Sequence, residues 1–117
     1  MRGARLLAGF HAAYLIATGV WPVVHRRSFE RVTGPKQDFW LVRIVGALVA
    51  VSGVTLAVAV ARGRRSAEAQ AVAAGSAVVF SVADVWAGMN QSRVYFADLV
   101  PQALFTPVWF VPWRSDA

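Results

Sequence analysis

Cysteine is absent from the chain. That excludes disulfides, thiol nucleophiles, Fe–S clusters and thiolate metal sites, and it leaves the redox compartment unspecified. Histidine occurs only at His11 and His25. If both lie on one helix they are roughly 21 Å apart along it, so they cannot ligate one haem iron from a single chain. A glycine-rich phosphate loop is also missing: Gly34-Pro35-Lys36 reads as a turn. Ser76 and Ser81 have no histidine in pattern with them, so no hydrolase or transferase constellation is legible and the cofactor is unknown.

Charge is the other scarcity. Only 15% of residues are charged, against 57% hydrophobic and a mean hydropathy of +0.51. A soluble domain of 117 residues needs a far more polar surface. The few charges gather in clusters: Arg2 and Arg5, His25 to Asp38, Arg62 to Glu68, Arg93, and Arg114 to Asp116. Between them lie four apolar runs, each near the ~20 residues that cross ~30 Å of hydrocarbon. The sequence therefore predicts an all-α, single-domain, four-helix transmembrane bundle, with helices over about 5–24, 39–61, 67–89 and 94–112. The first run is too long for a signal peptide and lacks a small-residue cleavage site, so it reads as a retained helix. The net charge of +6 is read as loop arginine that orients the chain and meets anionic headgroups. The partner is the bilayer, joined by a membrane-protein partner or a second copy, and not nucleic acid.

Local signals refine the picture. Phe29 and Val32 among charges suit an amphipathic turn in the headgroups. Asp38 and Ser66 can cap the second and third helices. Pro101 and Pro107 each remove a backbone donor, so the fourth helix is expected to be kinked. Trp21, Trp40 and Trp86 are expected at one interface, and Trp109 and Trp113 at the other. The dense loop Arg62–Arg65 tips the orientation toward cytoplasmic termini. Arginine-, alanine- and valine-rich usage with a single lysine suggests a GC-rich bacterial genome, hence a bacterial inner membrane.

Small residues step by three and four along two helices. Arg43, Gly46, Ala50, Gly53 and Ala57 form one stripe; Gln70, Ala74, Ala77, Ser81, Asp84 and Gly88 form another. Such stripes let membrane helices approach closely. The first helix presents His11, Tyr14 and Thr18, and the fourth presents Tyr95, Asp98, Gln102 and Thr106. Counting residues from the helix ends puts Arg43, Asp84 and Asp98 at similar depth below one face. An ionised side chain in hydrocarbon costs about 2.5–3.5 kcal/mol even on lenient scales, so the spacing predicts that Arg43 pairs with one Asp. The second carboxyl is then left to a proton, water or a cation. The candidate ligand- or ion-binding residues are Arg43, Asp84, Asp98, His11, Tyr14 and Gln102. The set is either an ion pair that fixes helix register or the lining of a polar cavity.

Val32-Thr33-Gly34-Pro35-Lys36, then Trp40-Leu-Val-Arg43-Ile-Val-Gly46, then Asp84-Val-Trp86, resembles the small DoxX-like and related four-helix bacterial inner-membrane proteins. That resemblance implies a helical membrane bundle and little settled biochemistry; the Arg43/Asp84/Asp98 cluster makes a small binding or accessory membrane subunit the leading expectation. In size and topology the chain also looks like the small multidrug-resistance transporters, which work as dimers and rely on a glutamate in the first helix. Here that helix has no acid, only His11. A proton-coupled transporter working as an oligomer is therefore the alternative expectation.

Overall fold

The charge clusters mark where the helices stop. The computed structural model describes residues 2–113, and Arg114 and the other residues of the last cluster lie outside that range. Three helices are long and apolar enough to cross a membrane: α1 (Arg2–Val24), α3 (Phe39–Ala61) and α4 (Ala67–Asn90). A short α2 (Arg26–Thr33) joins α1 to α3. Among the described residues there is no strand.

α1 and α3 form the tight pair, antiparallel and seamed by glycine. A Cβ on Gly19 would sit 2.4 Å from the Gly46 carbonyl oxygen, and one on Gly53 would sit 2.9 Å from that of Ala12. Only glycine lets the two backbones come this close. Arg5 closes the far end of the seam. Its guanidinium donates to the Val60 carbonyl at 2.8 and 3.0 Å and to that of Ala61 at 3.3 Å. It thus joins the Gly63 N–H on the Val60 carbonyl and offsets the negative dipole end of α3.

The connection between them is a small structured plug, a full amphipathic helix rather than a single turn. Phe29 of α2 packs edge-on against Trp21 and Phe39, with ring centroids 5.3 and 6.1 Å apart. Gly34 follows at φ +95°, where a side chain would be strained. The Glu30 carboxylate accepts from the Lys36 backbone N–H at 2.7 Å and from Arg26 Nε at 2.9 Å. Those two contacts hold its carboxyl below the usual glutamate range. Lys36 Nζ reaches back to the carbonyls of Thr33 and Gly34.

At the other face Gly63, at φ +66°, turns the tight loop into α4. Ser66 caps α4, its hydroxyl accepting from the Ala69 N–H at 3.1 Å. Asp38 occupies the N-cap of α3 but makes no side-chain cap bond.

The fourth apolar run is not one helix. It is α5 (Val94–Ala97), α6 (Leu99–Phe105) and a 3₁₀ turn (Thr106–Phe110). The break at Asp98 lies where the Pro101 ring crowds the carbonyl four residues earlier, on Ala97. The 3₁₀ turn begins beside Pro107, which likewise cannot donate. The segment runs back along α4, from Phe96 against Gly88 to the Trp109 carbonyl, which accepts from Gln70 Nε2 at 2.9 Å. Trp109 sits toward the end of the bundle where α4 begins, as its position suggests, but it faces the protein interior. It is fully buried among Ala4, Ala8 and Ala12 of α1, where small side chains leave room for an indole.

Candidate functional site

α1 and α4 do not pack backbone to backbone. The broken fourth segment lies against both, and beside it a cavity of about 1070 Å³ opens between α1, α3 and α4. It occupies the halves of α3 and α4 remote from their shared loop. Its α3 wall includes Leu41, Val45 and Val49, and its α4 wall includes Phe80, Val82 and Trp86. Leu41, Val45, Val82 and Trp86 are all exposed, so the cavity opens sideways between these two helices. At the loop face its mouth is Thr33, Lys36, Gln91 and Tyr95. A smaller polar space of about 420 Å³ shares Thr33, Lys36 and Gln91 with that mouth.

Four candidate residues meet at this cavity. Tyr14 comes from α1, Asp84 from α4, Asp98 from the break before α6, and Gln102 from α6. Tyr14 donates its hydroxyl hydrogen to Asp98 Oδ1. Gln102 Nε2 donates to Asp98 Oδ2 at 3.1 Å. Both oxygens of Asp98 are thus engaged, and the break in the helix puts its carboxyl where α1 and α6 can reach it. Asp84 is different. It is 7% exposed, its carboxyl hydrogen-bonds that of Asp98, and its Oδ2 has no hydrogen-bond partner. Gln102 Oε1 is also buried without a partner. A buried polar atom left unpaired costs about 1–3 kcal/mol, so these two acceptors call for an explanation in function.

Arg43 does not complete the cluster. It is exposed, and its guanidinium lies 5.3 Å from the centroid of Phe39, one helical turn earlier. A long side chain near a helix end lowers its cost by reaching toward the interface. The expected Arg43–Asp pair is therefore not formed; among the described residues the ion pair is Arg26–Glu30. His11 also stands apart. It is buried, accepts at Nδ1 from Trp109 Nε1 at 3.0 Å, and stacks on Phe105 at 5.5 Å. Phe105 in turn touches Tyr14, ring to ring at 6.3 Å, which links the two polar places through one side chain.

Sequence reasoning passed over Lys36 and Gln91 at the mouth. The Gly34-Pro35 break beside Lys36 was the available signal, because a turn on that face can lean over the helix ends. Among the described residues no group of three or more His, Asp or Glu is arranged to hold a metal. Comparison with known protein families, curated proteins and solved structures finds no match.

Proposed function

We propose that the chain is a small multi-pass protein of the bacterial inner membrane. It acts as a binding or accessory subunit, with both termini cytoplasmic and the broken segment from Val94 to Phe110 as a fourth crossing. In this reading, akin to the DoxX-like resemblance, the site is the cavity with Asp84, Asp98, Tyr14 and Gln102 at its polar end. The observation that carries it is the Asp84 carboxyl, buried beside Asp98 with one oxygen unpartnered and, among the described residues, no cation paired with either acid. A fastener would satisfy both partners; a binding group is held at some cost to stability.

The fourth crossing draws support from its two ends. Tyr95 lies 5.3 Å from Lys36 at one face, while Trp109 meets Gln70, at the start of α4, near the other. The prolines fit a crossing covered by neighbours, because freed backbone groups are tolerated at membrane depth where protein covers them.

The test is Asp84→Asn, which keeps shape and removes charge. As a binding group Asp84 predicts an unchanged or higher thermal midpoint in nanodiscs. A fall of several degrees would make it a fastener instead. The carboxyl pair also supports a second reading, a proton-coupled transporter working as an oligomer. Proton movement in proteoliposomes, lost in Asp84→Asn and Asp98→Asn, would favour transport over binding alone.

A further inference from the structure

The two acids can be told apart by counting hydrogens. The Tyr14 hydroxyl and Gln102 Nε2 each donate to Asp98, one to each oxygen. The Asp84 carboxyl bonds that same carboxyl and leaves its own Oδ2 bare, so its contact runs through Oδ1. An ionised carboxyl only accepts, at about four sites on its two oxygens. Two carboxylates cannot hydrogen-bond each other, because neither has a hydrogen to give. One proton therefore lies between them.

Placement decides which acid carries it. Asp98 is half-buried at the cavity, and a charge there meets two donors. Asp84 is buried, and a charge there would rest partly on an oxygen with no donor. Burying an unpaired charge costs far more than burying a neutral carbonyl. The surrounding groups do not reverse this. α1 brings Tyr14, which faces Asp98. The α3 wall is apolar, and Arg43 lies over Phe39 instead. At the mouth Lys36 is turned onto the carbonyls of Thr33 and Gly34, with Tyr95 beside it. His11 is held by Trp109 and Phe105.

We infer that the ligand of the acid pair is a proton, carried on Asp84 Oδ1 and donated to the Asp98 carboxylate. This rests on the binding reading and names what its polar end holds. The bare Oδ2 is then the carbonyl oxygen of a neutral acid, and a proton is small enough to sit there without moving a helix. Losing it would set two carboxylates against each other across α4 and the broken segment. Occupancy by the proton thus biases how closely those two elements pack.

Infrared spectroscopy reads the proton directly. A protonated carboxyl has a C=O stretch well separated from the bands of a carboxylate, and carbon-13 at the aspartate side-chain carbonyl shifts it. The full chain in dodecyl maltoside, a detergent without a carbonyl, should show one such aspartate band at neutral pH. Asp84→Asn should abolish it, and Asp38→Asn, at an exposed position, should keep it. Asp98→Asn should also keep it but melt several degrees below the unaltered chain, because an amide accepts on one atom where Asp98 accepts on two. A band missing from the unaltered chain, or surviving in Asp84→Asn, overturns the inference. So does an Asp98→Asn midpoint level with the unaltered chain. Should Asp84→Asn not fold, Asp98→Asn decides: its band is kept if the proton belongs to Asp84 and lost if it belongs to Asp98. The binding reading is judged separately, by the Asp84→Asn midpoint. Unchanged or higher, it keeps that reading even where the band is absent; several degrees lower, it ends the reading while the band still locates the proton.

Discussion

Alanine at position 19 probes what holds α1 to α3. A Cβ there would stand 2.4 Å from the Gly46 oxygen and 2.5 Å from the Ala50 nitrogen, against an ordinary contact of 3.4 Å or more. Both neighbours are backbone atoms of a regular helix and cannot rotate aside. The helices must part locally by roughly half an ångström to one ångström, and overpacking of this kind costs about 1–3 kcal/mol. Parting also loosens Gly46 against Pro22 and Gly53 against Ile16 on the same seam. A gap of about 0.5–1 Å forfeits a quarter to a half of each contact's dispersion energy. Against this stands a gain of about 0.5–1 kcal/mol for alanine over glycine inside a helix, so the net loss should be about 1–2 kcal/mol. Gly75→Ala supplies the control, because nothing lies within 4 Å of a Cβ built there. It keeps the helix gain without the clash. Thermal unfolding in nanodiscs, followed by tryptophan fluorescence, should put Gly19→Ala several degrees below the unaltered chain and Gly75→Ala level with it or above. If Gly19→Ala melts alongside Gly75→Ala, close backbone approach is not what joins α1 to α3.

Other consequences follow from the same contacts. Glu30 titrates below its ordinary range because the Lys36 N–H and Arg26 stabilise its ionised form. Its folded pKa is depressed, so its hold on the α2 plug is present above the unfolded value and lost as pH falls through the folded one. A spin label on a cysteine introduced at Val32, in this cysteine-free chain, should become mobile on acidification and stay insensitive to pH in Glu30→Gln. Trp109→Phe removes the donor to His11 Nδ1 and strands a buried acceptor. It should cost about 1–3 kcal/mol, and an unchanged melting midpoint would refute the bond's importance. Arg5→Met should lower stability by about 1 kcal/mol through the exposed carbonyls at the end of α3, whereas Arg62→Met, at an exposed loop residue, should not.

The three long helices were legible because long apolar runs bounded by charge leave a bilayer-crossing chain little choice. The α3 seam was legible too, since Gly46 and Gly53 are the smallest residues on that helix and they face α1. The α4 seam was harder. Its buried residues are Ala69, Ala73, Ala77, Asp84, Ala87 and Gly88, about one position out of phase with the expected stripe in its first half. α4 carries small residues on several faces, so size alone does not choose the buried one. Arg43 misled for a related reason. Spacing puts its Cα at the end of the seam, but a long side chain goes where solvation is cheapest, here past Phe39. Trp109 was read from position alone, and no pattern in its own segment reveals that α1 offers an alanine-lined hollow to receive it.

The irregular fourth segment ties these departures together. A straight helix over residues 94–110 would turn Asp98 and Gln102 with the regular twist of a rod and could lie flush along α4. Pro101 breaks the rod at Asp98 instead. The break leaves that carboxyl facing Tyr14 across the gap, while Phe96 on the α5 side still packs on Gly88. Beyond Phe105 the 3₁₀ turn brings Trp109 under α1 and holds it through His11 and Gln70. The segment is thus pinned near both ends and bent between them. The space it does not fill between α3 and α4 is the cavity. The same residue, Pro101, lines that cavity and makes the break. On this account the polar cluster and the lateral opening are two results of one interruption in the chain.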